Sequence, residues 1–193
     1  LIPFCECPNL LPLAGEWLLL LSPFRAVEWR LGAIRDGRLA VRRNGRLDLH
    51  DAFYATNTML DTEGRTVVVG WIRGFRAGTG WNGCLSFPRL IETDAVAGIR
   101  QRPHPAVDRL RHGEPLRFAG VPTRHQLGDA GEALDCTARL HGPGWLRLAG
   151  VPVAWDGRWL WVDGAAYDVP AAVLDLRILV DRSVVEVFAD DGR

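Results

Sequence analysis

Apolar residues in this chain come in short runs or in alternation with polar ones, and no stretch holds a 3.6-residue period beyond two turns. The runs "EWLLLLSP", "VEWRLGAI", "RLAVRR", "FYATNTML" and "TVVVGWI" follow one another through the first half. Between them stand "RDGR", "RNGR" and "DTEGR", where Gly or Asn-Gly supplies the positive φ of a hairpin turn. Strands at a spacing of about 8–12 residues predict an all-β barrel, sandwich or propeller. The best helical segment is "PAVDRLRHG", Pro105 to Gly113, with a Pro start and a Gly stop. A second β region follows it. "VAWDGRWLW" reads as a hairpin about Asp156-Gly157, and "LRILVDRSVVEVFA" as two strands about Asp181-Arg182. In the last strand Val184, Glu186 and Phe188 share one face, and the charge among them predicts that this face is partly wet. The expected organisation is one β unit over 1–104, a short linker over 105–112, and a β-sandwich over 113–193. Neither unit shows an internal repeat.

Composition narrows the choice. Hydrophobic residues make up 48% of the 193, enough for a core, and the formal net charge is zero. The 23 basic residues are all arginine and are scattered. Neither nucleic acid nor an anionic membrane is therefore an expected partner. The longest apolar run, Trp17 to Leu21, falls far short of the ~20 residues of a membrane span. Cys5, Cys7, Cys84 and Cys136 lack a paired ligand motif, and His50, His104, His112, His125 and His141 are dispersed, so no metal site is expected and the thiols read as small buried side chains.

Three clusters could carry chemistry. In "FCECPNL", alternation points Cys5 and Cys7 one way and Glu6 the other, and Pro8, without an N–H, is expected to end the regular pairing. That puts one carboxylate at a strand end among buriable groups, where desolvation raises a carboxyl pKa as a general acid needs. On composition alone, a rim glutamate with no special role is the simpler reading. The cluster "DLHDAFYATN", Asp48 to Asn57, sets two carboxylates, a histidine and a tyrosine just before a strand. Carboxylates that accept from hydroxyls beside an aromatic face suit a sugar; a polar turn is the alternative. Last, "GWIRGFRAGTGWNG" borders a glycine-rich loop with Trp71 and Trp81, which suit either carbohydrate stacking or gap filling.

Order and spacing say more than any one cluster. "FCECPNL", "FYATNTMLDTEGRTVVVGWI", "GWNGCLSFPR", "IRQRPHPAVDRLR" and "LRILVDRSVVEVFADDGR" together resemble glycoside hydrolase family 32, the invertases, inulinases, levanases and related β-fructofuranosidases. The resemblance covers essentially the whole chain. It implies the C-terminal blades of a five-bladed β-propeller followed by a β-sandwich, a fructoside substrate, and no cofactor or metal. It further implies that Glu6 is the general acid/base, that Asp48 binds fructosyl hydroxyls, and that Tyr54 orients Glu6 or the sugar. Trp71 and Trp81 would wall the pocket, with Asp51 and Asn57 towards the leaving group. His50, Asn57 and Ile72 depart from the family's usual residues, which bears on the preferred fructoside and not on the reaction type.

Retaining glycosidases use two carboxylates. In the family the nucleophile is the Asp of an Asn-Asp-Pro motif, and an Arg-Asp-Pro aspartate binds the sugar. No Asp precedes Pro anywhere in this sequence. The expectation is a fragment cut at both ends, inactive alone for lack of the nucleophile, whose parent hydrolyses terminal fructosyl bonds. A fructosyltransferase and a non-catalytic fructan-binding remnant are the alternatives.

Overall fold

The computed structural model describes residues 4–78, 80–118 and 132–192, and the statements below refer to these. His125 and parts of the expected sandwich span, 119–131 and 193, lie outside them. Two compact units are present, 1–104 with 192–193, and 105–191.

The first unit holds two antiparallel sheets. One runs in the order β1 (Glu6–Leu13), β2 (Glu16–Ser22), β3 (Glu28–Arg35), β4 (Arg38–Arg46). The other joins β5 (Phe53–Leu60), β6 (Thr66–Ile72), β8 (Arg89–Asp94) and β9 (Gly98–Pro103), with the short β7 (Cys84–Leu85) on β6. Alternation works as the pattern predicts: Leu18, Leu20, Trp29 and Leu31 from the first sheet meet Phe53, Tyr54, Val68, Ile91 and Ile99 from the second in one core. The segment between β4 and β5 ties the sheets. Leu47 N–H donates to Val27 O at 2.7 Å, and its own carbonyl accepts from the Gln101 amide.

Two features of β1 differ from expectation. The strand does not end at Pro8 but runs on to Leu13, past Pro12 as well. A bulge between Glu6 and Asn9, with Cys7 at φ 45°, absorbs Pro8 and breaks the simple alternation across Cys5, Glu6 and Cys7. Nor are the thiols of Cys5 and Cys7 buried: both are exposed, as is Glu6, because β1 is the edge of its sheet. Cys84 and Cys136 are half-buried.

The second unit begins with Pro105–Leu110, a 3-10 helix that stops before Gly113. The apolar run there is too short to sustain a longer helix. A three-stranded sheet in the order β10 (Ala133–Leu140), β15 (Leu174–Asp181), β16 (Val184–Ala189) packs on a four-stranded one, β11 (Gly144–Leu148), β12 (Val151–Trp155), β13 (Trp159–Val162), β14 (Ala165–Asp168). Leu174, Leu176, Ile178 and Val180 from one sheet close against Leu148, Val153, Trp155 and Leu160 from the other, which is sandwich packing. The face of β16 expected to be wet is not. Glu186 is 4% exposed and Phe188 is also buried, beside the buried Leu179 that Glu186 faces across the ladder.

No helix among the described residues is long and apolar enough to cross a membrane. No three His, Cys, Asp or Glu side chains among them gather as metal ligands would.

Candidate active site

The candidate site is built where β1 meets β5. Each strand carries a bulge there: β1 between Glu6 and Asn9, β5 between Tyr54 and Asn57, with Ala55 also at φ 45°. Bulges re-aim side chains that a regular strand would send elsewhere. Asn9 fastens the two together. Its amide nitrogen donates to Cys7 O at 2.9 Å and Thr56 O at 2.8 Å.

Tyr54 is the hub. Its ring is buried in the core of the first unit while its hydroxyl reaches Glu6 Oε2 at 3.0 Å and Ser22 O at 2.9 Å, and accepts from Phe24 N–H at 2.9 Å. One hydroxyl has one proton, so it donates to Glu6 or to Ser22, never to both at once. Burial pushes the hydroxyl pKa up and the Glu6 carboxylate pushes it further, against the opposing effects of Phe24 N–H and Arg73. Tyr54 therefore stays a neutral donor through the physiological range.

Arg73, immediately after β6, lies over the Tyr54 ring at 4.1 Å from its centre and donates through Nε to Asp51 O at 3.0 Å. Nothing local in the sequence marks this arginine among the 23. The cross-strand pair Tyr54–Trp71 sets the indole next to this group. Trp71 Nε1 donates to Asn82 O at 2.9 Å. Gly83 (φ 108°) makes that fit possible, since a Cβ there would overlap the Trp71 indole and the Ile72 carbonyl.

The other expected residues are held differently. Both oxygens of Asp48 are engaged: Oδ2 accepts from Arg89 Nη1 at 2.7 Å and Oδ1 from His50 N–H at 2.8 Å. Arg89 is buried, also bonds Gln101 Oε1 at 3.0 Å, and lies 4.0 Å from the centre of the Phe53 ring. Asp51 is exposed and meets Arg73 through its carbonyl. Asn57 is exposed, and its Oδ1 accepts from Thr58 N–H at 2.8 Å. Trp81 packs on Phe75 with centroids 4.6 Å apart. Thus the structure hydrogen-bonds Tyr54 to Glu6 and pairs it with Trp71 across the strands, while Asp48 belongs to a part-buried ion pair and Trp81 to a loop contact. A buried arginine needs a carboxylate, and "FPRL" was the only sequence signal for Arg89.

The antiparallel sheets of the first unit are propeller blades, and the second unit is a β-sandwich. The Glycosyl hydrolases family 32 N-terminal domain matches residues 2–103, and the Glycosyl hydrolases family 32 C terminal matches residues 149–193. The chain belongs to glycoside hydrolase family 32. It is 31% identical to the raffinose invertase of Escherichia coli over 76% of this chain and 36% of that protein. It is 30% identical to the sucrose-6-phosphate hydrolase of Klebsiella pneumoniae over 97% of this chain and 46% of that protein. Among solved structures, sucrose-6-phosphate hydrolase from Lactobacillus gasseri superposes with a TM-score of 0.78 at 22% identity, covering 98% of this chain and 48% of that one. A family 32 structure from Bifidobacterium adolescentis gives 0.70 at 21%, covering 97% and 36%. These neighbours share the fold. The chain spans less than half the length of each of these relatives.

Proposed function

We propose that this chain is the acid/base half of a retaining β-fructofuranosidase. The observation that carries the reading is the 3.0 Å contact between the Tyr54 hydroxyl and Glu6 on the bulged edge strand. Glu6 protonates the glycosidic oxygen of a fructoside, then takes a proton from the incoming water. The Tyr54 hydroxyl serves both states. It donates to Glu6 when the carboxylate is ionised. When Glu6 carries its proton on Oε1 for the leaving oxygen, Oε2 still accepts from Tyr54. Phe24 N–H stays bonded throughout, so the change costs no buried donor.

Asp48 supports the fructosyl pocket, with Trp71 and Trp81 as its aromatic wall and Asp51 and Asn57 towards the leaving group. The attacking aspartate comes from polypeptide outside this sequence, so the chain alone does not turn over substrate. Both Asp48 oxygens are held by Arg89 and His50, which suits a fixed acceptor of fructosyl hydroxyls. Arg73 carries a charge beside Tyr54, which brings sucrose 6-phosphate into the substrate panel alongside sucrose and fructans.

The test has two arms. The 193-residue chain is assayed with sucrose, sucrose 6-phosphate and inulin. It is assayed again after an amino-terminal extension carrying Asn-Asp-Pro and Arg-Asp-Pro from a family 32 relative. The expected result is no turnover in the first arm and fructose release in the second, abolished by Glu6→Gln. Turnover by the chain alone, or an extended Glu6→Gln variant that keeps full activity, would overturn the proposal.

A further inference from the structure

The outward face of the sheet β11–β14 presents tryptophans where a sandwich ordinarily shows polar residues. Trp145 pairs with Ala154, Ala154 with Trp161, and Trp161 with Ala166, so these four side chains form one row across the sheet on one face. The opposite face of the same strands, Leu146, Val153 and Val162, is turned into the sandwich core. Trp145 is 76% exposed, Trp159 is 38% exposed, and Trp161 is half-buried. Trp159 stands two residues from Trp161 on β13, opposite Asp168. The alanines leave a trough between indoles that stand about 10 Å apart across two strand spacings, with the third about 7 Å along the strand.

The platform is held in place. Asp156 Oδ1 accepts from Arg158 N–H at 2.8 Å and Trp159 N–H at 2.7 Å, which fixes the turn into β13. On the core side Trp155 Nε1 donates to Val169 O at 3.1 Å. The rim is polar. Arg158 is paired with Asp168 at 3.0 Å and lies 5.6 Å from the centre of the Trp159 ring, and Arg147 follows Trp145 on the same face.

The aromatic area is on the order of 200–300 Å² from strand spacings, against roughly 800 Å² per partner in a stable protein interface. A second copy of the chain therefore finds too little surface. Charge is nearly balanced because Arg158 is neutralised by Asp168, so a polyanion finds no run of cations. What remains is a ligand with flat apolar faces and hydroxyl-bearing edges. Stacking covers the faces, and a guanidinium–carboxylate rim meets the edges.

We propose that the outer face of β11–β14, centred on Trp145, Trp159 and Trp161, is a binding platform for a neutral oligosaccharide chain, separate from the candidate active site. It rests on this sheet face alone and stands whether or not the proposed hydrolysis holds.

Affinity electrophoresis of the 193-residue chain in native gels containing inulin, levan, dextran or a mixed-linkage β-glucan tests it, because the readout is binding and not turnover. At least one polymer retards the chain. Trp145→Ala or Trp161→Ala weakens that binding roughly tenfold, and the double variant abolishes it. Trp161→Phe, which keeps a ring, retains part of it, and Val96→Ala, at an exposed position of the first unit, leaves it unchanged. Trp145 is exposed, so its replacement leaves the thermal midpoint in place and loss of binding reads as loss of the site. No retardation by any of the four polymers, or retardation unaffected in the double variant, overturns the proposal. So does sedimentation showing a dimer that Trp145→Ala dissolves, which would assign the face to a second copy.

Discussion

Asn9 and Thr58 are joined twice: Asn9 Oδ1 accepts from the Thr58 backbone N–H and from its hydroxyl, each at 3.1 Å. The amide nitrogen of the same side chain faces two carbonyls, Cys7 O and Thr56 O. All four partners agree on the orientation of the amide, with donors meeting oxygen and acceptors meeting nitrogen. One side chain thus sets the geometry of both bulges, and through them the approach of Glu6 to Tyr54.

Replacing Asn9 should therefore loosen the site before it touches the core. Asn9→Ala is expected to lose about 2 kcal/mol in urea unfolding, from several part-buried hydrogen bonds. Asn9→Asp should be no better, because a carboxylate cannot donate to Cys7 O or Thr56 O. Amide exchange at Thr58 rises in Asn9→Ala and less in Asn9→Asp, whose carboxylate still accepts from that N–H. A loss below about 0.5 kcal/mol, within the range of neutral surface changes, would mean that each bulge holds without the link.

Glu6 and Tyr54 should separate cleanly in stability. Glu6 is exposed, and Glu6→Gln is expected to shift unfolding by less than about 0.5 kcal/mol. Tyr54→Phe leaves Phe24 N–H without its acceptor and is expected to cost about 1–3 kcal/mol. Equal effects from the two changes would contradict the hub role of the hydroxyl.

The Asp48–Arg89 pair offers a sharper contrast. Arg89→Leu strands a carboxylate beside a buried wall and removes the cover on Phe53, so a loss of about 3 kcal/mol or more is expected. Combining it with Asp48→Asn should recover part of that loss, since the uncompensated charge is gone. A double-mutant cycle with no coupling would show that the ion pair contributes nothing beyond packing.

In the second unit, Asp135 predicts a pH dependence. Burial alone would raise its carboxyl, but hydrogen bonds and charge from Arg177 and Arg111 hold it below the ordinary carboxylate value. A depressed folded-state pKa gives stability that is complete above the unfolded value of about 3.9 and lost as pH falls towards the folded one. The stability gap between the native chain and Asp135→Asn should be constant above about pH 5 and shrink below about pH 4. A gap that widens in acid would reverse the sign and refute the assignment.

The strands were legible because alternation and turn chemistry are local. The turn at Asp156-Gly157 falls between observed strands, the break expected at Asp181-Arg182 lies one residue on at Arg182-Ser183, and the core row Leu174, Leu176, Ile178, Val180 follows the period of two. What escaped depended on partners. A bulge is a mismatch between two strands, so neither Pro8 nor Ala55 could announce it alone. The burial of Glu186 depends on what covers its sheet, not on its own strand. For the site, Tyr54 and Glu6 are 48 residues apart, and only the family resemblance suggested that they meet. Arg73 and Arg89 were unread because arginines abound in this sequence and nothing local marks which ones lose their water.

The edge strand β1 has a last consequence. A newcomer aligning along it meets no amide donor at Pro8 or Pro12 and a displaced backbone at Cys7. Such a notched border rejects indiscriminate β-sheet extension and admits only a segment cut to its shape, which makes self-templated fibre growth from this side slow.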